Sequence, residues 1–480
     1  MALSLVSDKS RQRWIIMSVA FATFMSILDA NIVNISLPTI ARYFSITTGQ
    51  VVWVTISYLL IQTSTLLFFG KIADRMGVNK IFISGYLTFV VGSLMCGIST
   101  TGGALIFSRC IQALGGAMLY TTTFAIIPKF IPAQNRGWAF GLLSTAAALG
   151  ITVGAPLGGF ITGFFSWHWI FLINIPIGLT AVLVALKVLP KEEVKPKEKE
   201  KFDFPGAILS FMGPLFLIYA LNMGHKYGWG SPTILTCFAA SALSFVALII
   251  REKFARFPLL DLNLYKKLDF TLVNLSSFMA FAFLAGSNFL VPFYLQLERG
   301  LAVEYAGMVI LVYSIVYMFV GPFAGRLSDK VRPRLLCSIA MFSATLASLT
   351  FAFIMGLPGL IPVILFLVWL AISNGFFISP NNSEVMSLVP ADKQGIASGA
   401  FKTVSNLGMV IGVTLFEVIF AASIPKGITP ATFTPDQLLA GFKNTYVFGS
   451  FILLLAFLFS IMARGKKVSP KAQTELLGEV

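Results

Sequence analysis

Asp29 and Arg109 are ionisable residues that stand inside long apolar runs of this 480-residue sequence, and the chemistry they allow is proton and cation exchange. A carboxyl group surrounded by hydrocarbon is tolerated only when it is paired, hydrated or protonated, so a site of this kind can trade a proton for a cation. An arginine keeps its charge in proteins. Two buried charges are cheapest when they face each other across a bundle interior, where the cation modulates the acid by approaching or withdrawing. A structural role stays open for each residue: a static ion pair for Asp29, a tie to backbone carbonyls for Arg109. Asn31, Asn34 and Gln112 share the same two runs and offer uncharged polar contacts to a substrate. Glu384, just after Pro380-Asn381-Asn382, is either a rim carboxylate in water or a cation or proton site. Glu417 and Lys402 lie near the ends of their run and are expected to snorkel toward the interface. Exchange at Asp29 requires its side chain to face a central cavity.

The elements that must position these residues are set by composition. Hydrophobic residues make up 57% of the chain and charged residues 11%, and mean hydropathy is +0.85. A soluble domain carries about 25% charged residues, so this chain cannot cover itself with polar groups and reads as a polytopic membrane protein. Apolar runs long enough to cross a bilayer occur at 14–37, 51–69, 80–98, 104–127, 137–162, 169–189, 204–222, 233–250, 270–293, 303–324, 334–355, 360–386, 395–420 and 446–463, which makes fourteen. Lipid offers no partner to an open sheet edge, and the runs lack strand alternation, so they are predicted to be helices. Asp29 then stands roughly 22 Å into the first helix at a rise of 1.5 Å per residue.

The formal charge of +15 could suggest a nucleic-acid partner, but the 35 Lys and Arg sit almost entirely in short connectors. With the N-terminus in the cytoplasm, 28 fall inside and five (Arg42, Lys226, Arg299, Lys426, Lys443) outside. That asymmetry predicts both termini cytoplasmic. The basic stretch Lys9, Arg11, Arg13 leads into a run too long for a signal-peptide core, so it reads as the first span. The segment KEEVKPKEKEKFD, Lys191 to Asp203, reads as a solvated linker. Cys96, Cys110, Cys237 and Cys337 have no metal-ligand or disulfide-framework spacing and read as small buried hydrophobes.

GKIADR at Gly70–Arg75 and GRLSDK at Gly325–Lys330 repeat one pattern 255 residues apart, each after an apolar run. Setting aside runs seven and eight aligns the copies within two six-span units. The expected architecture is all-α: residues 1–189 as an N-terminal six-helix bundle, 190–260 as a linker and two-helix insert, and 261–480 as a C-terminal six-helix bundle with a tail. Parallel repeats of this kind are a carrier design, with the substrate between halves.

Five segments carry a family likeness. LDANIVNISLP at Leu28–Pro38, GKIADRMGVNK at Gly70–Lys80, RCIQALGGA at Arg109–Ala117, GITVGAPLGG at Gly150–Gly159 and WHWIFLINIPIG at Trp167–Gly178 resemble, in order, motifs of the major facilitator superfamily and of its fourteen-span drug:proton antiporters. There are departures: Asn31 replaces Thr, Ala113 replaces Gly, Pro156 comes one residue late, and His168 replaces Arg. The resemblance implies the major facilitator fold, a proton-coupling role for Asp29 and Arg109, and a cytoplasmic latch at Gly70, Asp74, Arg75 and Gly77, repeated at Gly325 and Asp329. It also associates Gly154, Pro156, Gly158 and Gly159 with antiport. Independently of the family, small residues at four-residue spacing let helices pack backbone to backbone.

These readings predict a monomeric secondary transporter in the cytoplasmic membrane, without a cofactor, exporting amphipathic or cationic compounds against proton influx. A carrier for one physiological metabolite is the alternative. A channel or membrane receptor is a third class, but it does not explain isolated intramembrane charges. The sequence holds no nucleotide loop, nucleophile constellation or metal cluster that would suggest an enzyme.

Overall fold

The computed structural model describes residues 8–190, 204–254, 262–328, 330–389, 394–423 and 435–463. Asp329 lies outside the described residues, and Asp74 is placed in its helix without a described side chain. Among the described residues all regular structure is helical: α1 (Lys9–Phe44), α2 (Thr48–Val51), α3 (Trp53–Met76), α4 (Val78–Gly97), α5 (Gly102–Phe130), α6 (Ala133–Phe164), α7 (Trp169–Leu172), α8 (Asn174–Val188), α9 (Phe204–Tyr227), α10 (Pro232–Phe254), α11 (Leu262–Tyr265), α12 (Leu268–Phe293), α13 (Val303–Ser328), α14 (Pro333–Ile354), α15 (Ile361–Ser387), α16 (Gln394–Ala422) and α17 (Pro435–Met462). A π-helical turn, Tyr294–Glu298, continues α12. Twelve helices among the described residues are long and apolar enough to cross a membrane. The predicted runs 51–69 and 204–222 fall in α3 and α9, where the apolar stretch of α9 is the shorter Ile208–Gly224.

The helices outrun the apolar stretches because polar caps extend them. Asp8 Oδ1 accepts the Ser10 N–H at 2.9 Å and starts α1 five residues before the apolar run. Thr101 Oγ1 accepts from Ala104 N at 3.2 Å at the start of α5. Thr47 and Gln50 form a capping box over α2. The predicted run 169–189 is borne out as a span, Trp169–Val188, whose hydrogen-bond ladder is interrupted at Ile173 and so divides into α7 and α8. Pro176 has no N–H to offer Leu172, four residues earlier, so the ladder lacks a bond at that junction. Gly77, between α3 and α4, has φ of 101°, a conformation a side chain resists.

The chain groups into two compact units. The first comprises 1–259, 286–314 and 413–442; the second comprises 260–285, 315–412 and 443–480. The core of the first gathers Ile15, Val19 and Met25 of α1, Phe82, Tyr86 and Phe89 of α4, Leu119 and Ile126 of α5, and Ala181 and Ala185 of α8. That of the second includes Phe270, Val273, Val385, Ala400 and Phe401. Outward-facing apolar side chains are abundant, with Phe319 and Ile361 each 70% exposed, as a hydrocarbon solvent allows.

Glycines set the helix separations in the first unit. A Cβ at Gly92 of α4 would lie 2.5 Å from the Gln112 backbone of α5. Along α6, a Cβ at Gly150 would lie 3.0 Å from Phe24 O, one at Gly154 2.5 Å from Asn31 Cβ, and one at Gly158 2.7 Å from Ile35 Cγ2 and 2.9 Å from Ile32 backbone, so α6 lies directly on α1. Gly137 and Gly141, one and two turns from the start of α6, have open space beside them. Gly158→Ala is therefore expected to destabilise the protein by about 1–3 kcal/mol through overpacking. Gly141→Ala should leave the thermal midpoint unchanged or higher. Melting of the two variants in detergent separates these outcomes.

Candidate functional site

Asp29 is positioned by α1 and Arg109 by α5, and both belong to the first unit. Arg109 Nη1 donates to Asp29 Oδ2 at 2.7 Å, so the direct contact left open by the sequence is made. The pair is embedded in further polar contacts. Gln112 Nε2 donates to Asp29 Oδ1 at 2.9 Å, and Asn174 Nδ2 donates to the same oxygen at 2.8 Å. Arg109 also donates from Nη1 to Gln112 Oε1 at 2.6 Å and from Nε to the Val54 carbonyl of α3 at 3.2 Å. Its guanidinium carbon stands 4.2 Å from the Tyr58 ring centroid, within cation–π range. Four helices, α1, α3, α5 and α8, thus converge on one carboxylate and one guanidinium.

Asp29 is 0% exposed and Arg109 2% exposed. The expectation that Asp29 faces a cavity, with cargo and proton competing at its oxygens, is not met. Both oxygens are consumed by Arg109, Gln112 and Asn174, and packed side chains surround them. Gln112, expected to contact cargo, is also 0% exposed. Its amide nitrogen donates to Asp29 and, at 2.8 Å, to Ser93 Oγ, while its oxygen accepts from Arg109, so no polar atom is left for a substrate. Gly92 lets α4 and α5 approach closely where Gln112 meets Ser93. Asn174 was not selected from the sequence as a site residue, although it sits in the WHWIFLINIPIG segment. Its place at the start of α8, after the break before Pro176, turns its amide toward α1.

The other expected contacts are spread out. Asn31 Nδ2 donates to the Ile27 carbonyl one turn back at 2.8 Å, and Asn34 Oδ1 accepts from Thr55 Oγ1 at 3.2 Å. Gly154 and Gly158 meet α1, whereas Gly159 meets α13: a Cβ there would lie 2.6 Å from Val303 O. Opposite, a Cβ at Gly307 would lie 2.5 Å from Ala155 O and 3.2 Å from Pro156 Cα. Gly70 of α3 faces Thr121 of α5, Arg75 is exposed, and Gly77 makes the α3–α4 turn. In the second unit, Gly325 faces Ser379. Glu384 is 5% exposed, with Arg334 and Asp269 acting on it electrostatically, so it is no rim carboxylate in water.

Glu417 departs furthest from expectation. It does not snorkel: it is 2% exposed, its Oε2 accepts from Asn222 Nδ2 of α9 at 2.9 Å, and its Oε1 faces Thr48 Oγ1 of α2 at 3.4 Å. A snorkelling side chain needs a free path to water, and α2 and α9 close that path. Near this end of the unit, Gln296 of the π-turn donates to the Ile35 carbonyl at 2.8 Å. His168, at the turn before α7, stacks on Trp167 with centroids 3.8 Å apart, and burial pushes its imidazole below the usual range. It is neutral near pH 7 and belongs with its aromatic neighbours.

The profile of the Major Facilitator Superfamily matches residues 19–413. The chain belongs to that superfamily. It is a transporter family and not one of enzymes. Riboflavin transporter RibZ of Clostridioides difficile (strain 630) is 32% identical over 462 residues, covering 96% of this chain and 100% of that protein. Probable multidrug resistance protein EmrY of Escherichia coli (strain K12) is 28% identical over 433 residues, covering 89% and 84%. The fold is similar to that of a bacterial homologue of the human lysosomal transporter Spinster in an inward-facing, unoccupied conformation. That match has a TM-score of 0.69 at 16% identity over 95% of this chain and 98% of the other.

Within this superfamily member, breaking the buried pair is expected to destabilise the protein whatever its role in transport. Arg109→Ala leaves a dry carboxylate without its cation, a change that costs about 3–5 kcal/mol. Asp29→Asn keeps the amide contacts and should cost less. Asp29→Leu combined with Arg109→Met should recover much of the loss, because replacing both charges removes the desolvation penalty. Thermal unfolding of the three purified variants measures this; additive losses in the double variant would show that the two side chains do not act as a pair.

Proposed function

We propose that this transporter is a proton-coupled antiporter that exports amphipathic, often cationic, organic compounds across the cytoplasmic membrane. It would act as a monomer with fourteen spans and both termini in the cytoplasm. The proposed organisation is residues 1–189 and 261–480 as six-helix bundles and 190–260 as a linker and two-helix insert. The observation that carries the reading is a membrane-embedded carboxylate paired with an arginine at the meeting point of four helices. The similarity to EmrY, a probable multidrug resistance protein, supports the substrate class.

Because Asp29 is sealed, coupling proceeds through conformation and not through direct competition for its oxygens. Protonation of Asp29 neutralises the charge that Arg109, Gln112 and Asn174 are arranged around. The guanidinium would keep Val54 O and Tyr58, both on α3, while its hold on α1 weakens. A proton on α1 is thereby converted into a change in how α1 sits against α3 and α5. The glycine face of α6, in backbone contact with α1 at Gly154 and Gly158 and with α13 at Gly159, would pass that displacement on. Gly70, Asp74, Arg75 and Gly77 would serve as a cytoplasmic latch, and the repeat of the motif at Gly325 and Asp329 would have the corresponding role in its own unit.

A second reading is favoured by one finding, the match to a riboflavin transporter along that protein's full length. On this reading the cargo is one polar, ring-containing metabolite. Both readings are tested in inverted membrane vesicles that hold a pH gradient, to which cationic drugs or riboflavin are added separately. Collapse of the gradient on drug addition, lost in Asp29→Asn, is the expected result. A response to riboflavin alone would replace the drug reading with the metabolite reading. Gradient collapse that persists in Asp29→Asn would remove Asp29 from the mechanism.

A further inference from the structure

We propose that Glu417 is a second proton-binding site, holding a proton when α16 is closed against α2 and α9 and giving it up when those helices part. The proposal rests on the antiport reading and deepens it. Two buried carboxylates of the first unit, Asp29 and Glu417, are treated in opposite ways. Asp29 has a guanidinium 2.7 Å away and two amide donors besides. Among the described residues Glu417 has no cation against it.

From α9 it meets the Asn222 amide, and from α2 the Thr48 hydroxyl and Gly49, where a Cβ would lie 2.9 Å from Oε1. Behind Asn222 stands the Trp53 indole of α3, donating to Asn222 Oδ1 at 2.9 Å. None of these groups carries a charge, and among the described residues no charged side chain acts on Glu417 electrostatically. A carboxylate held dry by one amide and one weak hydroxyl contact is far from compensated. A carboxylic acid fits the same atoms without that penalty. Oε2 accepts from Asn222, and the proton on Oε1 is donated to Thr48 Oγ1, reversing the 3.4 Å contact, since a hydroxyl accepts as readily as it donates.

The site's position gives the proton a use. Asn222 uses its nitrogen on Glu417 and accepts from Trp53 on its oxygen, so this one amide ties α9 to both α16 and the start of α3. Ionisation would make the closed arrangement costly and favour one in which water reaches the carboxylate. The α9–α10 pair is thereby given a role in coupling that Asp29 and Arg109 do not touch.

Glu417→Gln is the near-isosteric mimic of the protonated acid, with an amide oxygen for Asn222 and an amide nitrogen for Thr48, and is expected to fold. Infrared difference spectra of the purified protein in nanodiscs, recorded between mildly acidic and mildly alkaline pH, should show a carboxylic acid C=O band that titrates. That band should be missing in Glu417→Gln and kept in Asp29→Asn. In vesicles, Glu417→Gln should move fewer protons per substrate than the parent. A band unchanged in Glu417→Gln, or no difference in the spectra because Glu417 is ionised throughout, overturns the proposal. Hydrogen exchange at residues 48–51 and 413–422 gives a second check, since Thr48→Val, which only removes the hydroxyl, should raise exchange there. Unaltered exchange would count against a contact that holds the closed end. The infrared measurement needs neither substrate nor gradient. A band that behaves as expected beside vesicles that show no substrate-linked proton movement would therefore sink antiport and leave the site standing.

Discussion

A guanidinium and a carboxylate 2.7 Å apart, with almost no exposed surface, constrain the helices of the first unit that surround them. Neither charge is stable there alone, so every helix that touches the pair must bring a group of the right polarity. α3 brings a backbone carbonyl and a tyrosine face, α5 the Gln112 amide, and α8 the Asn174 amide. Those requirements explain why small residues recur where helices cross. Gly92 and Gly154 permit close α4–α5 and α1–α6 approaches beside the helices that carry the cluster.

On the proposed antiport reading the same economy lets the pair act as a switch. Protonating Asp29 would weaken the hold of Arg109, Gln112 and Asn174 on α1. The consequence would fall on helix positions, because a close-packed interior absorbs little locally. Antiport requires such indirect linkage when the proton site and the cargo do not share atoms. Glu417 is the contrasting case: among the described residues its hydrogen-bond partners, the Asn222 amide and the Thr48 hydroxyl, are uncharged.

Much of the fold was legible in the sequence because bilayer solvation imposes length and polarity on each run. The apolar stretches fall on helices, and the motif residues identify the superfamily. The site was legible in part. Asp29 and Arg109 stood out because charges are rare within apolar runs. Asn174 did not, because an asparagine two residues before a proline at a helix start is ordinary until its amide is seen pointing at α1. Gln112 was assigned to cargo for the opposite reason: a polar side chain next to a charged one reads as available, and only packing shows that its amide is already in use.

Sequence by itself determined that the chain is helical, that it spans a membrane, and that an acid and an arginine stand within apolar runs; solvation energy decides these one residue at a time. Tertiary structure alone decided that Asp29 is closed to cargo and that Glu417 is buried and not snorkelling. Whether a polar group is satisfied or exposed depends on which helices arrive beside it, and no local pattern of residues carries that information.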